Sequence, residues 1–301
     1  MVNDRSQLTT EQRNISTERI DLMTTEQIVS MINTEDARVP QAVAQENDRI
    51  SAAIDMIVSR IRQKGRLFYV GAGTSGRLGV LDAAECPPTF GVKPSLVQGI
   101  IAGGRRALVQ SIEGAEDRPL DGIAELKKKK LSAADAVVGI AACGLTPFVH
   151  GALSYSQQLG AGTVFVTCAP EAVQHIPAQI VINPVVGPEV IAGSTRMKAG
   201  TATKLVLNTL TTTLMIKLGK VYGNLMIDLN ASNEKLKDRS IRILSELTGL
   251  SRNESKALLH RAHGRVKPAI VMHFRKTDLK SAQKILKQHN DSLRKAIKDV
   301  Q

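Results

Sequence analysis

The sequence predicts an α/β protein: a parallel sheet with helices on both faces, followed by a small helical domain. Three observations predict it. Short apolar runs of strand length alternate with stretches of helical period. Most of these runs end in glycine or another turn former. Beyond about residue 239 the strand-like runs stop and helical patterns continue. Alternating strands and helices build parallel sheets covered on both faces, so residues 1–238 and 239–301 are expected as two domains.

Residues 1–24 are polar and read as an irregular leader. Between 25 and 64, Val39, Val43, Ile50, Ile54, Ile57 and Ile61 recur at helical intervals. Two helices are expected there, with Pro40 at a helix start and Gly65 as a C-terminal stop. Leu67-Phe68-Tyr69-Val70 is then a buried strand, and Gly71-Ala72-Gly73-Thr74-Ser75-Gly76 is the turn that ends it. A short helix from Arg77 to about Ala84 should stop at Pro87-Pro88. Further strands are expected at residues 96–101, 136–141, 162–167 and 179–182. Thr146-Pro147 opens a helix between the third and fourth of the five strands, and a long helix runs from about Arg196 to Lys217. In the last part, Ser251-Arg252-Asn253-Glu254 is a capping box. Thr277-Asp278 is placed to cap a last helix carrying Leu279, Ala282, Ile285 and Leu286.

Charge is unevenly distributed. The 301 residues carry a formal charge of +12, yet residues 234–301 alone hold 17 basic and 7 acidic side chains. The tail is therefore basic and the rest nearly neutral. A basic tail raises nucleic acid as a partner, but five Phe, three Tyr and no Trp supply few stacking platforms. A solvated, Lys-rich helical surface is the favoured reading. No window approaches the roughly 18 apolar residues of a membrane span, and Met1-Val2-Asn3-Asp4-Arg5 lacks an apolar signal core, so neither membrane nor export is expected. Cys86, Cys143 and Cys168 form no CxxC pair, as in a reducing cytoplasm.

The glycine loop is the strongest chemical signal. A strand, a glycine-rich turn and a helix start bring free N–H groups and a helix N-terminus to one point, which favours a phosphate. The pattern is G-x-G-x-x-G, but the acidic residue of a dinucleotide fingerprint is absent after the second strand. The Lys of a Walker A loop is missing as well. Gly73, Thr74, Ser75 and Gly76 are instead suited to a sugar phosphate. Cys143, Gly144 and Thr146 form a second such turn, although ordinary helix capping uses the same residues. Ser194, Thr195, Arg196 and Lys198 set hydroxyls and two cations at the head of the long helix, a third candidate anion site. Among carboxylates, Glu85, Glu113 and Glu116 sit on segments that a parallel sheet can place at the carboxyl ends of its strands, where two carboxylates facing one sugar can divide acid and base roles. Surface loops are rich in Glu for ordinary reasons too. The six His residues are scattered and predict no metal site.

Gly71 to Pro88, with Gly-Ala-Gly-Thr-Ser-Gly-Arg-Leu and Glu-Cys-Pro-Pro-Thr, resembles the N-acetylmuramic acid 6-phosphate etherase family. So do Thr10-Glu11-Gln12-Arg13-Asn14, Glu113-Gly114-Ala115-Glu116-Asp117, Gly187-Pro188-Glu189, residues 193–201 and Asn224-Leu225-Met226. The resemblance implies a sugar isomerase domain, a three-layer α/β sandwich, with a helical C-terminal domain. It implies a cytoplasmic homodimer that needs neither metal nor cofactor. It also implies elimination of D-lactate from N-acetylmuramic acid 6-phosphate, followed by addition of water. By motif match Glu85 is the acid and Glu116 the base. A non-catalytic sugar-phosphate sensor of the same fold is the alternative. One departure stands out: the family shows Ser-Gly-Arg-Thr-Pro where this chain has Cys143-Gly144-Leu145-Thr146-Pro147. A hydroxyl and a guanidinium are thereby lost beside the expected phosphate.

Overall fold

The computed structural model describes residues 5–229 and 234–298. The chain divides into two compact units. One holds the chain up to Ala84 with Pro94–Thr211; the other holds Glu85–Lys93 with the chain from Thr212 on.

Among its described residues the leader contains neither α-helix nor strand, only short 3-10 turns between Arg5 and Leu22. It is nevertheless tied down: Gly193 N–H donates to Thr10 O (3.2 Å), and the Thr17 hydroxyl donates to Val190 O (2.8 Å). Three helices follow where two were expected: α1 (Thr25–Asp36), α2 (Val39–Ala44) and α3 (Asn47–Arg62). Pro40 stands in the first turn of α2. Gly65 is not the helix stop. Lys64 takes the left-handed conformation (φ 67°), and Gly65 is required because a Cβ there would lie 1.8 Å from Ala134 O.

The sheet comprises β1 (Leu67–Gly71), β2 (Val97–Ile101), β3 (Ala136–Ile140), β4 (Gly162–Val166) and β5 (Ile180–Ile182). All pairings are parallel and the order is β2-β1-β3-β4-β5. The three inner strands are buried at every position, as expected of a sheet covered on both faces. The edge strands are partly exposed.

Helix α4 (Gly73–Phe90) is far longer than the expected Arg77–Ala84. Pro87 and Pro88 lie inside its last turn. Proline deletes a backbone donor but keeps a φ compatible with helix, and Gly91 N–H still donates to Pro87 O at 3.0 Å. Helices α5 (Pro119–Lys128) and α6 (Pro147–Gln158) approach closely through two glycines. A Cβ at Gly122 would lie 2.2 Å from Phe148 O, and one at Gly151 2.3 Å from Pro119 O. Helix α7 is Lys198–Lys217.

A hairpin of β6 (Val221–Tyr222) and β7 (Leu225–Met226), turning at Gly223 (φ 57°), was not expected. Helices α8 (Glu234–Thr248), α9 (Arg252–Arg261), α10 (Val266–Arg275), α11 (Leu279–Gln288) and α12 (Leu293–Ile297) complete the second unit. Ser251 and Glu254 form the capping box and Asp278 caps α11. That helix is not the last, because Ser292 caps α12 beyond it. Ile227, Leu244, Leu258, Ile270 and Leu293 belong to a core built from this unit's own residues. No described helix is long and apolar enough to cross a membrane.

Candidate active site

The strand order determines where a ligand crevice opens. The chain moves from β1 outward to β2 and then returns to the other side of β1 for β3. Ligands of open parallel sheets bind outside the carboxyl ends of the strands at such a reversal. β1 ends there in the glycine loop, and β3 ends in residues 141–146.

Each glycine of the first loop has its own cause. Gly73 has φ +52° and open space around it. A Cβ at Gly71 would lie 2.7 Å from Gly76 N, and one at Gly76 would lie 2.6 Å from Ile101 Cγ1. The helix thus starts almost on top of the strand that feeds it. The Gly76 N–H donates to Ala72 O at 3.1 Å and closes the first turn. The N–H groups of Gly73, Thr74 and Ser75 precede it and have no intrahelical acceptor.

In the second loop Gly144 is left-handed (φ 77°), and His150 Nε2 lies 2.7 Å from its carbonyl oxygen. Nothing in the sequence marked His150. Thr146 occupies the N-cap of α6 and is 8% exposed, yet its hydroxyl makes no capping bond. Cys143 and Leu145, the two departures from the family pattern, pack against Leu8, Ala169 and Ala172. An apolar cluster therefore stands where a hydroxyl and a guanidinium were expected.

The third loop leads into α7. The Glu189 carboxylate accepts from the N–H groups of Lys198 and Ala199, both at 2.9 Å. Burial pushes the Glu189 carboxyl above its ordinary range, against the pull of those two bonds. Ser194 and Thr195 are half-buried and Arg196 is exposed. Lys198 differs from the expectation of a ligand-facing cation. It is 1% exposed and its ammonium lies 2.6 Å from the equally buried Glu35. Asn14 Nδ2 donates to the same Glu35 oxygen at 2.8 Å, so Lys198 is committed to holding the loop and the leader in place.

The three loops converge. A Cβ placed on Gly200, in the first turn of α7, would find Thr74 Cγ2 at 3.6 Å. Ala142 packs with Ala199 and Ala202. Of the carboxylates, Glu116 and Glu113 line a cleft of about 190 Å³ with Gly73 and Arg77. Glu116 is exposed, and its carbonyl oxygen accepts from the Phe148 N–H (2.9 Å) at the start of α6. Arg77 was missed as a site residue. It lies four residues after Gly73, on the same face of α4, and its Nε donates to Leu108 O at 3.2 Å. Glu85 is exposed on the same helix, twelve residues beyond Gly73, and is not among the lining of that cleft.

The family model of the glucokinase regulatory protein N-terminal SIS domain matches residues 49–157, and that of its C-terminal lid domain matches 223–268. A protein of Crocosphaera subtropica named N-acetylmuramic acid 6-phosphate etherase is 51% identical over 98% of this chain and 97% of its own length. Proteins of the same name from Nostoc sp. and Pectobacterium atrosepticum are 51% and 49% identical over 98% and 96% of this chain, and each is 96% covered. Among solved structures, phosphoheptose isomerase of Neisseria gonorrhoeae shares the fold. Its TM-score is 0.50 at 14% identity, covering 64% of this chain and 98% of that one.

Proposed function

The chain belongs to the N-acetylmuramic acid 6-phosphate etherase family, and on that footing we propose the following course for its reaction. The protein is a carbon–oxygen lyase that converts N-acetylmuramic acid 6-phosphate and water into N-acetylglucosamine 6-phosphate and D-lactate. In the open-chain sugar the C1 aldehyde acidifies the C2 proton. Glu116 removes that proton. Glu85 protonates the lactyl oxygen as its bond to C3 breaks, and D-lactate leaves. Glu116 passes the C2 proton to solvent and Glu85 recovers one from solvent. Glu116 then takes a proton from the water that adds to C3 of the alkene and delivers it to C2, restoring both carboxyls.

The observation that carries the site assignment is the shared cleft of Glu116, Gly73 and Arg77 beside the strand-order reversal. It sets a carboxylate beside an anion-favouring helix start. The phosphate is held by the N–H groups of Gly73, Thr74 and Ser75, the Thr74 and Ser75 hydroxyls, and Thr146. Ser194, Thr195 and Arg196 remain for the lactyl carboxylate, Arg196 being the cation of that loop still exposed. Two chains act together as a homodimer in the cytoplasm. General acid–base assistance of this kind contributes about 10² to 10⁴ per group.

Release of D-lactate by the purified full chain, followed with a D-lactate dehydrogenase couple, tests the reading. Turnover that requires neither metal nor cofactor is expected. Calorimetric binding of the substrate without lactate release would instead identify a sugar-phosphate sensor.

A further inference from the structure

The second compact unit contains a cleft of about 660 Å³ that the reaction above does not use. Its size falls within the usual range of small-molecule sites, roughly 300–1,000 Å³. It is lined by Gly91, Lys220, residues 227–229, and residues of α10, α11 and their flanks.

Its charge is unbalanced. Among the described residues, Lys220, Arg265, Lys267 and Lys287 line it against Asp228 and Asp291. Setting His263 aside, these side chains leave a surplus of two positive charges. The imbalance is sharpest at one oxygen: Asp228 Oδ2 receives both the Lys220 ammonium at 2.8 Å and the Lys267 ammonium at 2.6 Å. Lys267 is 3% exposed and also donates to Asp291 O at 3.2 Å. Burial pulls this ammonium below its usual range, and the charge of Asp228 works in the opposite direction. One carboxylate therefore serves two ammonium groups, one of them buried. Ile227, Leu229 and Leu286 supply apolar wall, where a fixed positive charge acts at lower dielectric than in water and focuses potential into the cleft.

We propose that this cleft is a second anion site, built for a phosphate dianion that is either free or carried as a monoester. A phosphate monoester carries about −1.5 to −2 charge at neutral pH, which matches the surplus. Lys220 and Lys287 donate to its oxygens, and Lys267 with Asp228 forms the fixed floor.

The test uses the full chain with lysine labelled with ¹³C at Cε, titrated with inorganic phosphate. The Lys220 and Lys267 resonances, assigned through Lys220→Arg and Lys267→Arg, should move saturably. Lys287→Gln, at the exposed rim, should weaken that response by about three- to tenfold. The response should persist in Ser75→Ala, which impairs only the glycine-loop site. Glucose 6-phosphate distinguishes the source: tighter binding than phosphate indicates an organic monoester, and equal binding indicates free phosphate. Three results would overturn the proposal: no saturable shift, a shift reproduced by sodium chloride, or a shift lost in Ser75→Ala. D-lactate release is read separately, so failure of this site and failure of the etherase reading are distinguishable.

Discussion

The Lys198 ammonium lies 2.6 Å from a Glu35 carboxylate oxygen, with both side chains 1% exposed. This pair joins α1 to the start of α7, and Asn14 adds the leader to it. Removing one partner strands a buried charge, which costs far more than removing both. Lys198→Met is predicted to lose about 3–5 kcal/mol in urea unfolding. Lys198→Met with Glu35→Leu should recover most of that loss, and a single variant as stable as the parent would contradict this role.

The same pair predicts acid sensitivity. Burial pushes the Glu35 carboxyl up, but hydrogen bonds from Lys198 and Asn14 and the charges of Lys198 and Arg38 outweigh it. They hold the carboxyl below its ordinary 4.5. A lowered folded value means that its stabilisation is present above pH 4.5 and lost as pH falls through the folded value. Parent and double variant compared from pH 6 to pH 3 should therefore converge in stability on acidification. A constant gap between them would refute the assignment.

Two glycines of the first loop should respond differently to alanine. Gly73 has room for a methyl group but a positive φ, so Gly73→Ala should cost about 1–2 kcal/mol and raise KM. At Gly76 the methyl group meets Ile101 Cγ1 at 2.6 Å and Gly71 O at 2.7 Å. Gly76→Ala should cost about 3 kcal/mol or more. Thermal unfolding with substrate titration separates the two, and equal effects would mean the loop is not shaped as described.

Glu85→Gln and Glu116→Gln are each predicted to lower kcat by about 10² to 10⁴ while substrate binding by calorimetry persists. Both side chains are exposed, so the melting temperature should hardly move. Parent-like turnover in either variant would remove that residue from the mechanism.

Cys143→Ser should leave activity equal or higher, because it restores a hydroxyl beside Thr146. Leu145→Arg is a harsher change, since Leu145 packs against Leu8, Ala169 and Ala172. It should destabilise by about 1–3 kcal/mol. A large loss of kcat in Cys143→Ser with normal stability would mean that the thiol itself is used.

Much of this was legible in the sequence, because the strands are short apolar runs and their ends carry glycine. The five strands of the sheet and the three loops that meet near Thr74, Ala142 and Gly200 follow from local pattern alone. What was not legible depends on partners distant in sequence. Lys198 reads as a ligand-facing cation until Glu35, 163 positions away, takes its ammonium. Gly65 looks like a helix stop, whereas the approach of Ala134 O is what requires it. Helix α4 passes through Pro87 and Pro88 because proline in a last turn costs donors without forbidding the conformation. The cleft around Asp228 joins Gly91 to residues more than a hundred positions later, and no local signal could have gathered them.

The most direct test of the central claim is D-lactate release from N-acetylmuramic acid 6-phosphate in water enriched in oxygen-18. Elimination followed by hydration places the label on C3 of N-acetylglucosamine 6-phosphate, read from the isotope shift of the C3 carbon resonance, with unlabelled D-lactate. Label entering the lactate at the ether oxygen, or substrate bound with no lactate released, would contradict the account.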